Sequence, residues 1–127
     1  MKPRLREPVL LANDYERLIG WYQQVLGFEV ADRFEDENHY CVLKTPTGEK
    51  LGIALASEVG VEPQDRSRNT LVLQIQVDDV KSALEEVEAG GGKVTTPPMQ
   101  EEKTGYWFGA VTDPEGNPCW IVSGDYS

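Results

Sequence analysis

The chain has 127 residues, a length that suits one domain burying roughly two-thirds of its unfolded surface. Its formal net charge of -10 and isoelectric point near 4.5 would repel a phosphate backbone, which argues against nucleic acid as a partner. Apolar residues make up 39% and include three Trp, five Tyr and three Phe, too much buriable surface for a disordered chain.

The basic start, Met1 to Arg6, precedes an apolar run of only Pro8 to Ala12, too short for a signal-peptide core. No later stretch approaches the ~20 apolar residues of a membrane span. The expectation is therefore a cytoplasmic protein without a membrane partner. Cys41 and Cys119 each sit inside an apolar strand-like run, where a free thiol behaves as a small buried hydrophobe rather than half of a disulfide.

In chain order, Pro8 to Ala12 is predicted as a short strand, and Asn13 or Asp14 then caps a helix, with Glu16 placed to complete a box from Asn13. Tyr15, Leu18, Ile19, Tyr22, Val25 and Leu26 follow the spacing of one buried helical face, and Gly27 supplies a left-handed stop. Gly20 lies within this helix and is expected to permit close packing on a sheet. Trp21 stands at the edge of the apolar stripe, where it completes the core or meets a second subunit. Phe28 to Phe34 and Tyr40 to Lys44 are predicted as strands around the acidic turn Glu35-Asp36-Glu37-Asn38, and Leu51 to Leu55 as a third. The acids of that turn are read as solvated.

The polar stretch from Ser57 to Asn69, with Gly60 and Pro63, is predicted as a linker. Leu71 to Val77 then alternates with period two, which marks a strand whose glutamines, Gln74 and Gln76, face something wet. Val80, Ala83, Leu84 and Val87 form the stripe of a second helix after Asp78-Asp79, and Gly90-Gly91-Gly92 ends it. Lys93 to Thr96, Tyr106 to Thr112 and Cys119 to Ser123 are the last predicted strands. The order strand, helix, three strands thus occurs twice, with a Pro-x-Gly turn in each copy, Thr45-Pro46-Thr47-Gly48 and Asp113-Pro114-Glu115-Gly116. Two such units, each too small to bury its own apolar face, are expected to pack as one domain over residues 1–127, with modules at about 6–56 and 70–124 and a ligand between them.

The doubled pattern resembles the vicinal oxygen chelate superfamily, which includes glyoxalases, extradiol dioxygenases, fosfomycin-resistance enzymes and bleomycin-binding proteins. The carriers are Asn13-Asp14 through Trp21-Tyr22-Gln23-Gln24-Val25-Leu26-Gly27-Phe28-Glu29-Val30, Val77-Asp78-Asp79-Val80, and Asp113-Pro114-Glu115-Gly116-Asn117-Pro118. The resemblance implies an α+β fold of two βαβββ modules whose curved mixed sheet encloses a cavity, and a homodimer. Metal-using members of the family hold a divalent ion at four positions, near the start of the first strand and in the last strand of each module. Here those positions fall on Glu7, Gly52, Val72 and Trp120.

A catalytic divalent metal needs roughly three His, Glu or Asp donors, and only Glu7 qualifies. The sole histidine, His39, lies by the first hairpin turn, away from these positions. No other cofactor is indicated, because no glycine-rich phosphate loop opens a helix after a strand, and neither cysteine stands where its pKa would be lowered. No residue is therefore assigned a catalytic role.

On the implied fold, Glu7, Val9 and Leu11 from the first strand and Val72, Gln74 and Gln76 from the fifth line the concave wall. Trp120 replaces a metal ligand, and with Tyr106 and Trp107 it could stack on a flat or cationic group. The function expected from the resemblance is metal-independent sequestration of a small aromatic or cationic organic molecule, as in bleomycin-resistance-like proteins. The alternatives are a glyoxalase-like lyase or isomerase, or a dioxygenase-type enzyme, using a divalent metal, and a non-catalytic interaction module whose pocket is filled.

Overall fold

The computed structural model describes residues 1–124, so the last three residues of the expected domain lie outside the described part. The chain divides into two compact units, Met1–Gln64 and a second that begins at Asp65.

In the first unit, β1 (Val9–Ala12), β2 (Glu29–Phe34), β3 (Tyr40–Lys44) and β4 (Lys50–Leu55) form one sheet in the order β1-β4-β3-β2. β1 runs parallel to β4, with Val9 opposite Gly52 and Leu11 opposite Ala54, while the other pairs are antiparallel. A parallel pair needs a long crossover, and α1 (Tyr15–Gln24) begins it. Asp14 caps α1 by accepting from the Arg17 amide at 3.3 Å, which satisfies one of the exposed donors of the first turn. At the far end Gly27, with φ 75°, lets the chain turn so that the amides of Gly27 and Phe28 return to the carbonyls of Gln23 and Tyr22. Leu18, Ile19 and Tyr22 of α1 are fully buried, as are Cys41, Leu43 and Ile53 of the sheet, and Trp21 joins this core.

The second unit repeats the plan with β5 (Leu73–Gln76), α2 (Val80–Ala89), β6 (Lys93–Gln100), β7 (Trp107–Thr112) and β8 (Pro118–Val122), in the order β5-β8-β7-β6 and with β5 parallel to β8. Asp79 caps α2 through the Ser82 amide at 3.1 Å. The helix closes with Gly92 N–H to the Val87 carbonyl and Gly91 at φ 99°, the pattern in which a left-handed glycine satisfies the last carbonyls. Val80, Leu84 and Val87 bury against Val111, Cys119 and Ile121.

Four details depart from the sequence expectations. β6 continues through Pro97 and Pro98 to Gln100, with its register slipping between Thr96 and Met99; it is an edge strand, where missing amide donors are tolerated. β5 is shorter than the predicted run. The polar stretch between the units contains 3-10 turns at Ala56–Val59 and Arg66–Arg68. Gly20 does not serve a close approach, since a Cβ there would meet nothing within 4 Å. The glycine that does is Gly109, where a Cβ would lie 2.6 Å from Leu84 Cδ2 of α2 and 3.1 Å from the Thr96 carbonyl oxygen.

Candidate functional site

In the first unit, the strand start and the hairpin meet at one corner. Gly52 is paired with Val9 on one side and Val42 on the other, and the missing side chain leaves room that the Tyr40 ring takes. A Cβ on Gly52 would lie 2.8 Å from Tyr40 Cζ and closer still to the hydroxyl. From there the Tyr40 hydroxyl donates to Glu7 Oε2 at 2.8 Å. The Glu7 side chain is only 3% exposed, with Arg6 Nε 3.4 Å from its other oxygen. Burial first, then the hydrogen bond and charge of Glu7, push the Tyr40 phenol above its ordinary pKa. Sequence reasoning singled out Glu7 but missed Tyr40, because the contact joins residues far apart in the chain. Val9 is exposed and Leu11 half-buried.

The His39 ring lies in the same unit. Its backbone amide donates to Glu58 Oε1 at 2.7 Å, and its Nδ1 stands 2.9 Å from the same oxygen, so the carboxylate fixes the ring against the edge of Tyr15. The amide bond first, then the imidazole, hold the Glu58 carboxyl below its usual range. Arg33 pairs with Glu16 and Glu35 and lies 5.5 Å from the Tyr15 ring centroid. Cys41 and Cys119 are both buried thiols outside any disulfide, and burial raises the Cys41 thiol pKa, which makes it a poor nucleophile.

In the second unit, Gln74 stands opposite Trp120 and Gln76 opposite Val122, while Ala110 and Phe108 of β7 continue the same rows. One face of the sheet therefore carries both glutamines and Trp120. The glutamines are exposed rather than buried, so no buried amide there demands a partner. Trp120 is 52% exposed and Val72 half-buried. Alternation along β7 sends Trp107 to the other face with Gly109 and Val111, and there Lys81 Nζ of α2 sits 4.3 Å from its ring centroid.

At the strand ends the sheet opens into a cavity of about 520 Å³. Gln74, Gln76, Tyr106, Trp107 and Phe108 line it, with Lys103 and Glu101 among its polar groups. Trp120 is not part of that lining, so the expected cluster of Tyr106, Trp107 and Trp120 does not form there; the pleat separates Trp107 from Trp120. Tyr106 is positioned by Gly124, whose φ of 91° excludes a side chain where the tyrosine ring packs within 2.5 Å of a would-be Cβ. Ser123 Oγ accepts from the Trp107 amide at 2.9 Å.

A buried polar network supports the β7–β8 turn. Asp113 Oδ1 accepts from the amides of Glu115 and Asn117, and its Oδ2 from Asn117 Nδ2. Arg66 donates to Asn117 Oδ1 at 2.8 Å and pairs with Glu115 at 2.9 Å, with both ion-pair side chains 6% exposed.

Two βαβββ units, each closing its sheet with a parallel edge strand, define a vicinal-oxygen-chelate fold. Residues 4–121 match the Glyoxalase/Bleomycin resistance protein/Dioxygenase superfamily, and the chain belongs to that family. A glyoxalase-related enzyme from Fulvimarina pelagi is similar in structure, with a TM-score of 0.74, 22% identity, and coverage of 96% of this chain and 89% of the other. A glyoxylase/bleomycin resistance protein/dioxygenase domain from a Frankia species gives 0.75 at 18% identity, covering 100% and 96%. A glyoxalase I mutant from Zea mays gives 0.78 at 20% identity, covering 94% of this chain and 44% of the maize chain. No curated protein matches the chain.

The residues at the family's four metal positions do not fit a divalent ion. The Glu7 carboxylate is engaged by Tyr40, the space at Gly52 is filled by the same ring, and Val72 and Trp120 offer no donor atom a metal would take. Among the described residues, no three His, Cys, Asp or Glu side chains group where they could hold a metal.

Proposed function

We propose that this chain is a metal-independent small-molecule-binding protein, of the bleomycin-resistance-like kind, which sequesters a flat organic ligand against the aromatic wall of the second unit. The observation that carries this reading is the cavity of about 520 Å³ lined by Tyr106, Trp107 and Phe108 with two exposed amides. Its size lies within the roughly 300–1,000 Å³ of small-molecule sites, and an apolar wall with a few polar groups is their usual chemistry. Aromatic side chains give a planar ligand offset-stacked or edge contacts, while Gln74 and Gln76 each bring donors and an acceptor.

The scarcity of donors at Glu7 and Gly52 in the first unit, and at Val72 and Trp120 in the second, supports a binding role over metal-assisted catalysis. The proposal includes a cytoplasmic homodimer. Two cysteines outside any disulfide suit a reducing compartment, and the half-exposed Trp120 is an apolar surface that a second copy could cover. Light scattering should then give twice the 14.2 kDa chain mass.

The test of binding is thermal unfolding of metal-stripped protein against a panel of planar aromatic dyes and antibiotics, since a ligand specific to the native state raises its stability. Stabilisation without metal, reduced in Trp107→Leu, is the expected result. Stabilisation by nickel, zinc or manganese alone, abolished in Glu7→Gln, would replace this reading with a metal enzyme.

A further inference from the structure

The groups around the second unit's cavity differ in what remains available to a ligand. Glu101 is committed to its own turn: its Oε2 accepts from the Thr104 amide at 2.6 Å and the Thr104 hydroxyl at 2.7 Å. These bonds, hydroxyl first, hold its carboxyl below the usual range. Lys103, on the same rim, makes no ion pair among the described residues, and neither does Lys81. Lys81 already occupies a face of the Trp107 ring and lines, with Asp78 and Asp79, a smaller adjoining cavity that shares Trp107 and Ser123 with the larger one. A cation seeking that indole would meet a resident ammonium, and like charges at close range repel. Among the described residues, the donors of this lining that make no hydrogen bond or ion pair include the Lys103 ammonium and the amides of Gln74 and Gln76.

We infer that the ligand of this cavity is an aromatic anion, a planar ring bearing a carboxylate or similar acidic group, with the ring against Trp107 and the acid toward Lys103. The inference rests on the binding role proposed above and fixes the ligand's charge, reversing the preference for cations that the chain's overall acidity suggests. Of the acids behind the net charge of -10, Glu101 on this rim is committed to Thr104 and Asp79 caps α2, and salt screens exposed charges beyond about 8–10 Å. A lysine within hydrogen-bond reach of the ligand decides the sign at short range, because charge-assisted bonds are roughly twice as strong as neutral ones.

Three probes that share one ring system separate ring binding from charge selection: 2-naphthoate, 2-naphthamide and 2-naphthylmethylammonium. Their dissociation constants are measured by calorimetry on the metal-stripped full chain at neutral pH, and the tryptophan indole N–H signals are followed by NMR. Naphthoate should bind about tenfold or more tighter than the ammonium, the size expected of one charge-assisted contact, with the amide between them, and the Trp107 indole signal should shift. Lys103→Gln should collapse the naphthoate advantage while leaving the amide unchanged, and Lys103→Arg should restore it. The exposed position of Lys103 makes both variants safe for folding. If all three probes bind alike, or the ammonium binds tightest, with the Trp107 signal shifting, the charge inference falls and the binding role stands. If no probe binds, or none moves the Trp107 signal, both fall.

Discussion

A methyl group added at Gly52 would collide with the Tyr40 ring, whereas one added at Gly20 would meet nothing within 4 Å. Opposite effects follow. Gly20→Ala should stabilise the protein by up to about 1 kcal/mol, since alanine is the better helix former and restricts the unfolded chain. Gly52→Ala should cost about 1–3 kcal/mol as the Tyr40 ring is displaced and Glu7 loses its donor. Chemical denaturation of the two variants checks both signs. Tyr40 also makes a pH prediction. Its phenol pKa is raised in the folded state by burial and by Glu7, so its contribution is complete below the unfolded value of about 10 and is lost as pH rises through the folded value. Tyr40→Phe should therefore flatten the alkaline decline of stability, leaving the parts due to Tyr15 and Cys41, whose pKa values are also raised. Stability measured from neutral to strongly alkaline pH shows the difference. Glu7 was legible as a lone acid at a family position, but its burial was not. That burial depends on Tyr40, and no periodicity in the sequence joins a strand start to a hairpin so far along the chain.

At the level of elements, the turn between β7 and β8 shows where sequence patterns succeed and where they stop. Asp113-Pro114-Glu115-Gly116 was readable as a turn because proline and glycine fit its second and fourth positions, and the structure closes it with Gly116 N–H to the Asp113 carbonyl at 2.9 Å. The first unit closes Thr45-Pro46-Thr47-Gly48 in the same way at 3.0 Å. What clamps the second turn is Arg66, from a stretch that reads as featureless linker; its Glu115 and Asn117 partners lie in a distant part of the chain. Arg66→Ala leaves Glu115 buried without its cation and should destabilise the protein by about 3–5 kcal/mol, whereas Arg68→Ala, at an exposed position, should change little. Paired denaturation curves decide this. The helices were legible because caps, stripes and terminal glycines are local signals, as Asp14, Asp79 and Gly91 show. β6 was underestimated because Pro97-Pro98 reads as a breaker, and only the strand's place at the sheet edge makes the prolines acceptable.

At the scale of the whole molecule, the two units share one topology and differ in what their sheets present. The first carries a buried Glu7 tied to Tyr40, and the second an open aromatic cavity lined by two exposed amides and Lys103. Among the described residues, no helix is long and apolar enough to cross a membrane. Doubling of the βαβββ order was visible in the sequence because each copy repeats its cap, glycine stop and Pro-x-Gly turn. The division of chemistry between the units was not, since the sheet pleat and the Lys81 contact decide which aromatics face a ligand.

Metal-free binding of a planar ligand is the central claim, and calorimetric titration with one aromatic probe, run with a strong chelator and again with added nickel, zinc or manganese, tests it most directly. The account predicts the same dissociation constant in every case. Binding that vanishes with the chelator and returns with one of the metals would contradict it.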